Sequence, residues 1–190
     1  MNEIQLDQLT LLADAHKKLL SGYHLNEHDG SLWHEVSQQH EAYQSLFNAL
    51  GHTLVYDSRG YFYLDSKEST VTMGKTSQLF ALTLYTLVEY LADQGLDPVN
   101  ALFEQTLNFT LMSDLVTHNL ALFEQLGISS SSDLRKDVML RMVRLGYARE
   151  HADGFKLNPP CFRYIDAVLS LEDSQDTHAE IDHPTAEQES

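Results

Sequence analysis

The stretch Asp133–Leu157, DLRKDVMLRMVRLGYAREHADGFKL, constrains the fold more than any other part of the chain. Leu134, Val138, Met142 and Leu145 recur at intervals of four, four and three, which places them on one face of a helix. Asp133 suits an N-cap, because its carboxylate can accept an orphan backbone N–H of the first turn. Gly146 follows as a C′ residue that takes positive φ without a Cβ clash. Beyond it, Tyr147–Glu150 and Phe155–Leu157 flank His151-Ala152-Asp153-Gly154, a polar loop closed by glycine as hairpin loops are. The spacing predicts a helix running directly into a two-stranded hairpin.

The same order occurs earlier. Leu32–Ala49 reads as a helix, Leu50-Gly51 as its exit, Thr53–Tyr56 as a strand, Asp57–Gly60 as a turn and Tyr61–Leu64 as the return strand. Both copies share Leu-Gly, a strand, a loop ending in glycine, an aromatic residue and a leucine soon after. The spacings differ by about a residue, so this is an echo in layout and not a sequence repeat. Two ordinary helix–hairpin units would give the same pattern. A helix feeding a hairpin is also the core of a winged-helix unit, and that reading organises the rest. The expected fold is α+β, mainly α, with tandem winged-helix domains and two short β-hairpin wings.

In chain order, Ile4–Ser21 reads as a helix with Leu9, Leu12, Leu19 and Leu20 toward a core, and Tyr23–Gly30 as a polar linker. Ser31 can cap the helix from Leu32, and Trp33 pins that helix to the first core. Ser66–Gly74 reads as a loop. Lys75–Gln94 is the most apolar helix, apolar nearly all round, so it is buried on more than one side or serves as a bridge or interface. Asp97 as N-cap and Pro98 at N1 open the next helix, Val99–Asn108. Ser113–Leu126 follows, then a flexible link, Ser129–Ser132. Asn158-Pro159-Pro160 stops the second hairpin, and Phe162–Leu171 reads as a last short helix. Residues 1–74 are thus expected as an N-terminal winged-helix domain and 75–96 as a connecting helix. Residues 97–171 would form the C-terminal winged-helix domain, and 172–190 an acidic tail with too little apolar side chain to order.

Charge limits the function. The chain carries 12 basic and 28 acidic residues, a formal net charge of −16, which weighs against a freestanding, non-specific DNA binder. The charge is uneven. Residues 172–190 hold seven acids and no Lys or Arg, whereas Arg135–Arg163 holds seven of the twelve basic residues against three acids. Arg135, Lys136, Arg141, Arg144, Arg149 and Lys156 are therefore the candidate DNA-contacting residues, directed at phosphates because few base-reading side chains accompany them. A solvated helix face with an Asp137–Arg141 pair would use the same residues.

Other chemistries lack support. His24 and His28 stand four apart beside Glu27 and Asp29, but Gly22 and Asp29-Gly30 favour a loop and no third ligand follows. No CxxC pair, phosphate-cradling glycine loop or nucleophile elbow occurs. No metal, cofactor or catalytic activity is expected. The single cysteine, Cys161, excludes an internal disulfide and reads as a small buried residue. The start, MNEIQLDQL, lacks signal-peptide features, and Leu79–Ala92 is too short and too interrupted to span a bilayer. A soluble cytoplasmic protein is expected.

The stretch Leu19–Leu64 resembles the MukE/MksE family, the accessory subunits of bacterial condensin-like SMC complexes. The likeness rests on Leu-Ser-Gly with its polar linker, a helix ending before an extended segment, and the return strand Gly60-Tyr61-Phe62-Tyr63-Leu64. The second half is similar in layout, with Arg144-Leu145-Gly146 before a wing, Arg163-Tyr164 after it and an acidic tail. The resemblance implies tandem winged-helix domains forming a homodimer that binds a kleisin subunit (MksF-like) and through it an SMC ATPase (MksB-like). Its implied work is chromosome organisation and segregation, or plasmid defence, at the nucleoid, with sequence-independent DNA contact. Leu79, Leu82, Tyr85, Val88, Leu91 and Phe103 are the candidate dimer or kleisin interface. The alternative is a stand-alone homodimeric winged-helix transcription regulator.

Overall fold

A computed structural model describes residues 5–65 and 74–166. The acidic tail, most of the Ser66–Gly74 loop, the first four residues and the end of the last helix lie outside them. The expectation of a mainly helical α+β fold is met. In the first half α1 (Leu12–Leu20), β1 (Leu25–Asn26), α2 (Ser31–Gln38) and α3 (His40–Ala49) precede a hairpin of β2 (Thr53–Asp57) and β3 (Tyr61–Asp65). In the second, α4 (Lys75–Asp93), α5 (Pro98–Glu104), β4 (Leu107–Asn108), α6 (Phe109–His118) and α7 (Leu120–Gln125) come first. They lead to a helix over residues 131–144 and a hairpin of β5 (Ala148–His151) and β6 (Gly154–Leu157). In each half a helix precedes a short strand, further helices follow and a hairpin closes the unit, a winged-helix-like layout.

Each sheet has three strands, ordered β1-β3-β2 and β4-β6-β5, and all pairs are antiparallel. The third strands correct the sequence reading. Tyr23–Gly30 is not a polar linker: His24, Leu25 and Asn26 are buried, and Leu25 pairs with Phe62. The helix expected over Val99–Asn108 ends at Glu104, and Leu107 pairs with Phe155. Both short strands are Leu-Asn. In each, leucine enters the core and asparagine caps the next helical turn, with Asn26 Oδ1 accepting from His28 N and Asn108 Oδ1 from Leu111 N.

Several helices are shorter or differently capped than expected. Leu32–Ala49 breaks at Gln39 and Ser113–Leu126 at Asn119, two residues with nearly the same backbone angles (φ −106°, ψ 29° and φ −119°, ψ 28°). The first helix begins at Leu12, Leu20 is exposed, and Gly30 rather than Ser31 stands at the N-cap of α2. Asp97 and Pro98 cap α5 as expected.

Two apolar cores result. The first gathers Leu19, Leu25, Val36, Tyr43, Phe47, Leu54 and Phe62, with Trp33 packed against it. The second gathers Leu79, Phe80, Leu84, Leu87 and Leu91 of α4 with Met112, Phe123, Val138, Met142, Phe155 and Leu157. Thr83 and Thr86, also buried on α4, donate to Leu79 O and Thr83 O.

The halves meet at Gly146. His24 N donates to Leu145 O (2.9 Å), and Asn26 and Asn158 both donate side-chain N–H to Gly146 O (3.3 and 3.1 Å). Gly146 has φ +82°, and a Cβ there would lie 2.2 Å from His24 O. Neither backbone can move aside without breaking the shared bonds. Gly146→Ala is therefore expected to destabilise by on the order of 3 kcal/mol, combining left-handed strain with a backbone clash. Urea midpoints of the two proteins measure this; a midpoint within error of the parent would refute the close approach.

Candidate nucleic-acid interface

The helix preceding the second hairpin starts three residues earlier than its sequence suggests. Ser130 is the N-cap, its Oγ accepting from Asp133 N at 3.1 Å. Asp133 instead closes the turn from inside, accepting from Ser130 Oγ, Ser129 Oγ and Ser129 N, which holds its carboxyl below its ordinary value. Ser129–Ser132 is thus a structured helix entry.

The helix begins at Ser131–Asp133, widens into a π turn over Leu134–Met139 and ends as α-helix Leu140–Arg144. The wider turn explains its buried face. Leu134, Val138 and Met142 point inward as their spacing predicts, but Met139 is also fully buried because the π turn rotates its neighbours inward together. Leu145, expected on the same stripe, is half-buried.

The opposite face carries the basic residues. Arg135, Lys136, Arg141 and Arg144 are all exposed. Lys136, Leu140 and Arg144 follow one another at intervals of four, with Leu140 37% exposed between the two cations. Arg135 lies over the Phe155 ring (5.6 Å), against the wing. Arg141 donates to Thr76 Oγ1 at 2.8 Å, and no ion pair joins it to Asp137 among the described residues.

On the wing, Arg149 and Lys156 stand directly opposite in the β5–β6 register. Like charges facing across strands repel. Arg149 is drawn aside by hydrogen bonds to Asn158 Oδ1 (2.6 Å) and Leu157 O (3.3 Å). Both residues are half-buried, so the wing offers less free cation than the helix.

The first half is built differently. Its helix before the hairpin, α3, has no Lys or Arg. Its hairpin tip is engaged by the second half: Arg59 pairs with Asp57 (2.9 Å) and Asp166 (2.8 Å) and lies 4.7 Å over the Phe162 ring. Arg59 also holds the Asp57 carboxyl well below the usual carboxylate range. Arg163, counted among the basic residues of the stretch, lies 4.0 Å over the Tyr63 ring and donates to His24 Nε2 at 2.6 Å.

His24 is the residue that sequence reasoning missed. Its spacing from His28 admits a metal ligand, yet among the described residues no group of three or more His, Cys, Asp or Glu could hold a metal ion. It sits instead between the halves, among Tyr61, Tyr63 and Tyr147, with Tyr147 Oη 3.1 Å from Nε2. A guanidinium only donates, so Nε2 accepts and the ring proton belongs on Nδ1. Burial, with the Arg163 charge second, lowers the His24 pKa to about 3. Cys161 is equally withdrawn: its thiol donates to Tyr147 O, and burial pushes its pKa up.

Of the apolar candidates, Leu79 and Leu91 are 4% and 1% exposed and lie in the chain's own core, which removes them from any surface. Leu82, Val88 and Phe103 are half-buried, Phe103 against Phe162 (4.7 Å). Tyr85 is 37% exposed and its hydroxyl donates to Glu89. No described helix is long and apolar enough to cross a membrane.

The His24 shift gives a pH dependence of known sign. The unfolded chain binds a proton near pH 6.5 that the folded chain refuses until about pH 3. Stability is full above pH 6.5 and falls as pH drops below it, by about 2 kcal/mol at pH 5. Urea midpoints at pH 7.5 and 5.0 test this; His24→Gln should lose most of the difference, and an unchanged difference would assign it elsewhere.

A family model described as condensin complex protein MksE matches residues 10–169. No curated protein matches the chain.

Proposed function

The chain belongs to the MksE family of condensin complex proteins, and we propose that it serves there as a non-catalytic accessory subunit. In this reading it forms a homodimer, binds the kleisin subunit and through it the SMC ATPase, and contacts DNA without regard to sequence. The observation that carries the DNA contact is the exposed row of Arg135, Lys136, Arg141 and Arg144 on one helix of an otherwise acidic molecule. Long cations on an exposed helix reach phosphates, and phosphate contacts position a protein without reading bases. Arg149 and Lys156 extend the row onto the wing. Residues 75–166 act as the second unit, since α4 shares its core with the second wing. The dimer or kleisin surface then falls on the outward side of α4, at Tyr85, flanked by Leu82, Val88 and, on α5, Phe103.

The biological work is chromosome organisation and segregation, or defence against plasmids. Neighbouring reading frames for a coiled-coil ATPase and a kleisin would fit both, and an added topoisomerase-like nuclease gene would mark defence.

Two experiments bear on this. In the assembled complex, Lys136→Glu with Arg144→Glu should weaken duplex DNA binding and reduce the slope of log K against log salt by about 1.8, two phosphate contacts at ~0.9 each. Identical slopes would remove this helix from the DNA surface. Separately, Tyr85→Glu should shift the sedimenting species toward monomer, or abolish kleisin binding, without lowering the melting temperature; unaltered sedimentation and unaltered kleisin binding would reject the α4 surface.

A further inference from the structure

Residues 172–190 carry seven acids and no Lys or Arg, and they lie beyond residue 169, where the family match ends. We propose that this segment docks on the basic face of the helix over residues 131–144 and competes there with DNA phosphates. The proposal rests on the DNA reading of that face and adds its regulation.

Geometry supports it. Tyr164 Oη donates to Ser77 Oγ (3.3 Å), while Arg141 of the basic helix donates to the adjoining Thr76 (2.8 Å). Both side chains therefore meet the first turn of α4. A helix of that length is about 21 Å long at 1.5 Å per residue. An extended chain covers ~3.3 Å per residue, so residues 172–190 span up to about 60 Å and reach all of it.

The chemistry is also complementary. Glu180-Ile181-Asp182 sets its one large aliphatic residue between two carboxylates. Lys136, Leu140 and Arg144 set an exposed leucine between two cations, and neither cation has an ion-pair partner among the described residues. Carboxylates on these cations occupy the groups that phosphates would use. Being tethered, the segment acts at a high effective concentration, so weak individual contacts suffice. DNA must displace it, and the apparent affinity falls by the fraction of faces left open.

The test uses the full chain. A nitroxide is placed on Thr185→Cys; the native Cys161 thiol is fully buried and does not compete for the label. In 0.1 M NaCl the amide signals of Lys136, Leu140 and Arg144 should be broadened. They should recover in 1 M NaCl, where the Debye length falls from about 10 to about 3 Å. The same label on a chain whose seven acids are changed to amides (Glu172→Gln, Asp173→Asn and so on) should leave these signals sharp. No broadening at low salt, or equal broadening in the amide chain, overturns the docking. In the assembled complex the amide chain should bind duplex DNA on the order of tenfold more tightly. Docking with unaltered DNA affinity would overturn the competition and fault the DNA reading, whereas loss of docking alone would leave that reading standing.

Discussion

The arrangement of the two halves depends on one backbone contact, the approach of His24 to Gly146. Each half has its own apolar core, and neither core reaches the other through large aliphatic side chains. What joins them is mainly polar and aromatic. Leu145 O and Gly146 O, in the turn before the second hairpin, accept from His24 N and Asn26 Nδ2. Such buried groups cannot fall back on water, so they hold a defined geometry in a way that an apolar contact would not. Asn26 works in both directions: its amide donates to Gly146 O and to His24 O, while its Oδ1 caps the turn after β1. A strand of two residues thereby fixes the position of the entire second hairpin.

Around that contact the charged residues divide by role. Arg59 and Arg163 are engaged at the junction, stacked on Phe162 and Tyr63 and paired with Asp57, Asp166 and His24. The first hairpin is consequently turned toward the second half of its own chain. The cations of the helix over residues 131–144 face outward, where no carboxylate of the junction reaches them. Two units of similar layout therefore differ in use: one wing is an internal brace, and the other stands beside an exposed basic helix.

The local parts of this architecture were legible in the sequence. The Leu-Gly exits, the glycine-closed turns and the Asp97-Pro98 start are signals within a few residues of one another, and each predicts its own geometry. Leu25–Asn26 and Leu107–Asn108 were not legible, since two residues show no periodicity and their partners lie 37 and 48 positions away at Phe62 and Phe155. The repeated Leu-Asn was the available signal. The π turn escaped because Met139 broke a stripe that three leucine-like residues already explained. The basic face was found by composition, but composition does not tell Arg144, which has no ion-pair partner among the described residues, from Arg163, which lies over the Tyr63 ring and donates to His24.

The placement of charge makes electrostatic sense of an acidic molecule for which a DNA contact is proposed. A formal charge of −16 repels the polymer at long range, so a single basic face cannot recruit DNA by itself at low concentration. Within an assembly that already holds DNA nearby, the same charge has the opposite merit. Screening confines attraction to within about 8 Å at physiological salt, so the proposed contact requires the basic face to be turned toward the duplex. The junction at Gly146 fixes the basic helix relative to the rest of the chain, so a buried backbone contact determines how the cations are presented.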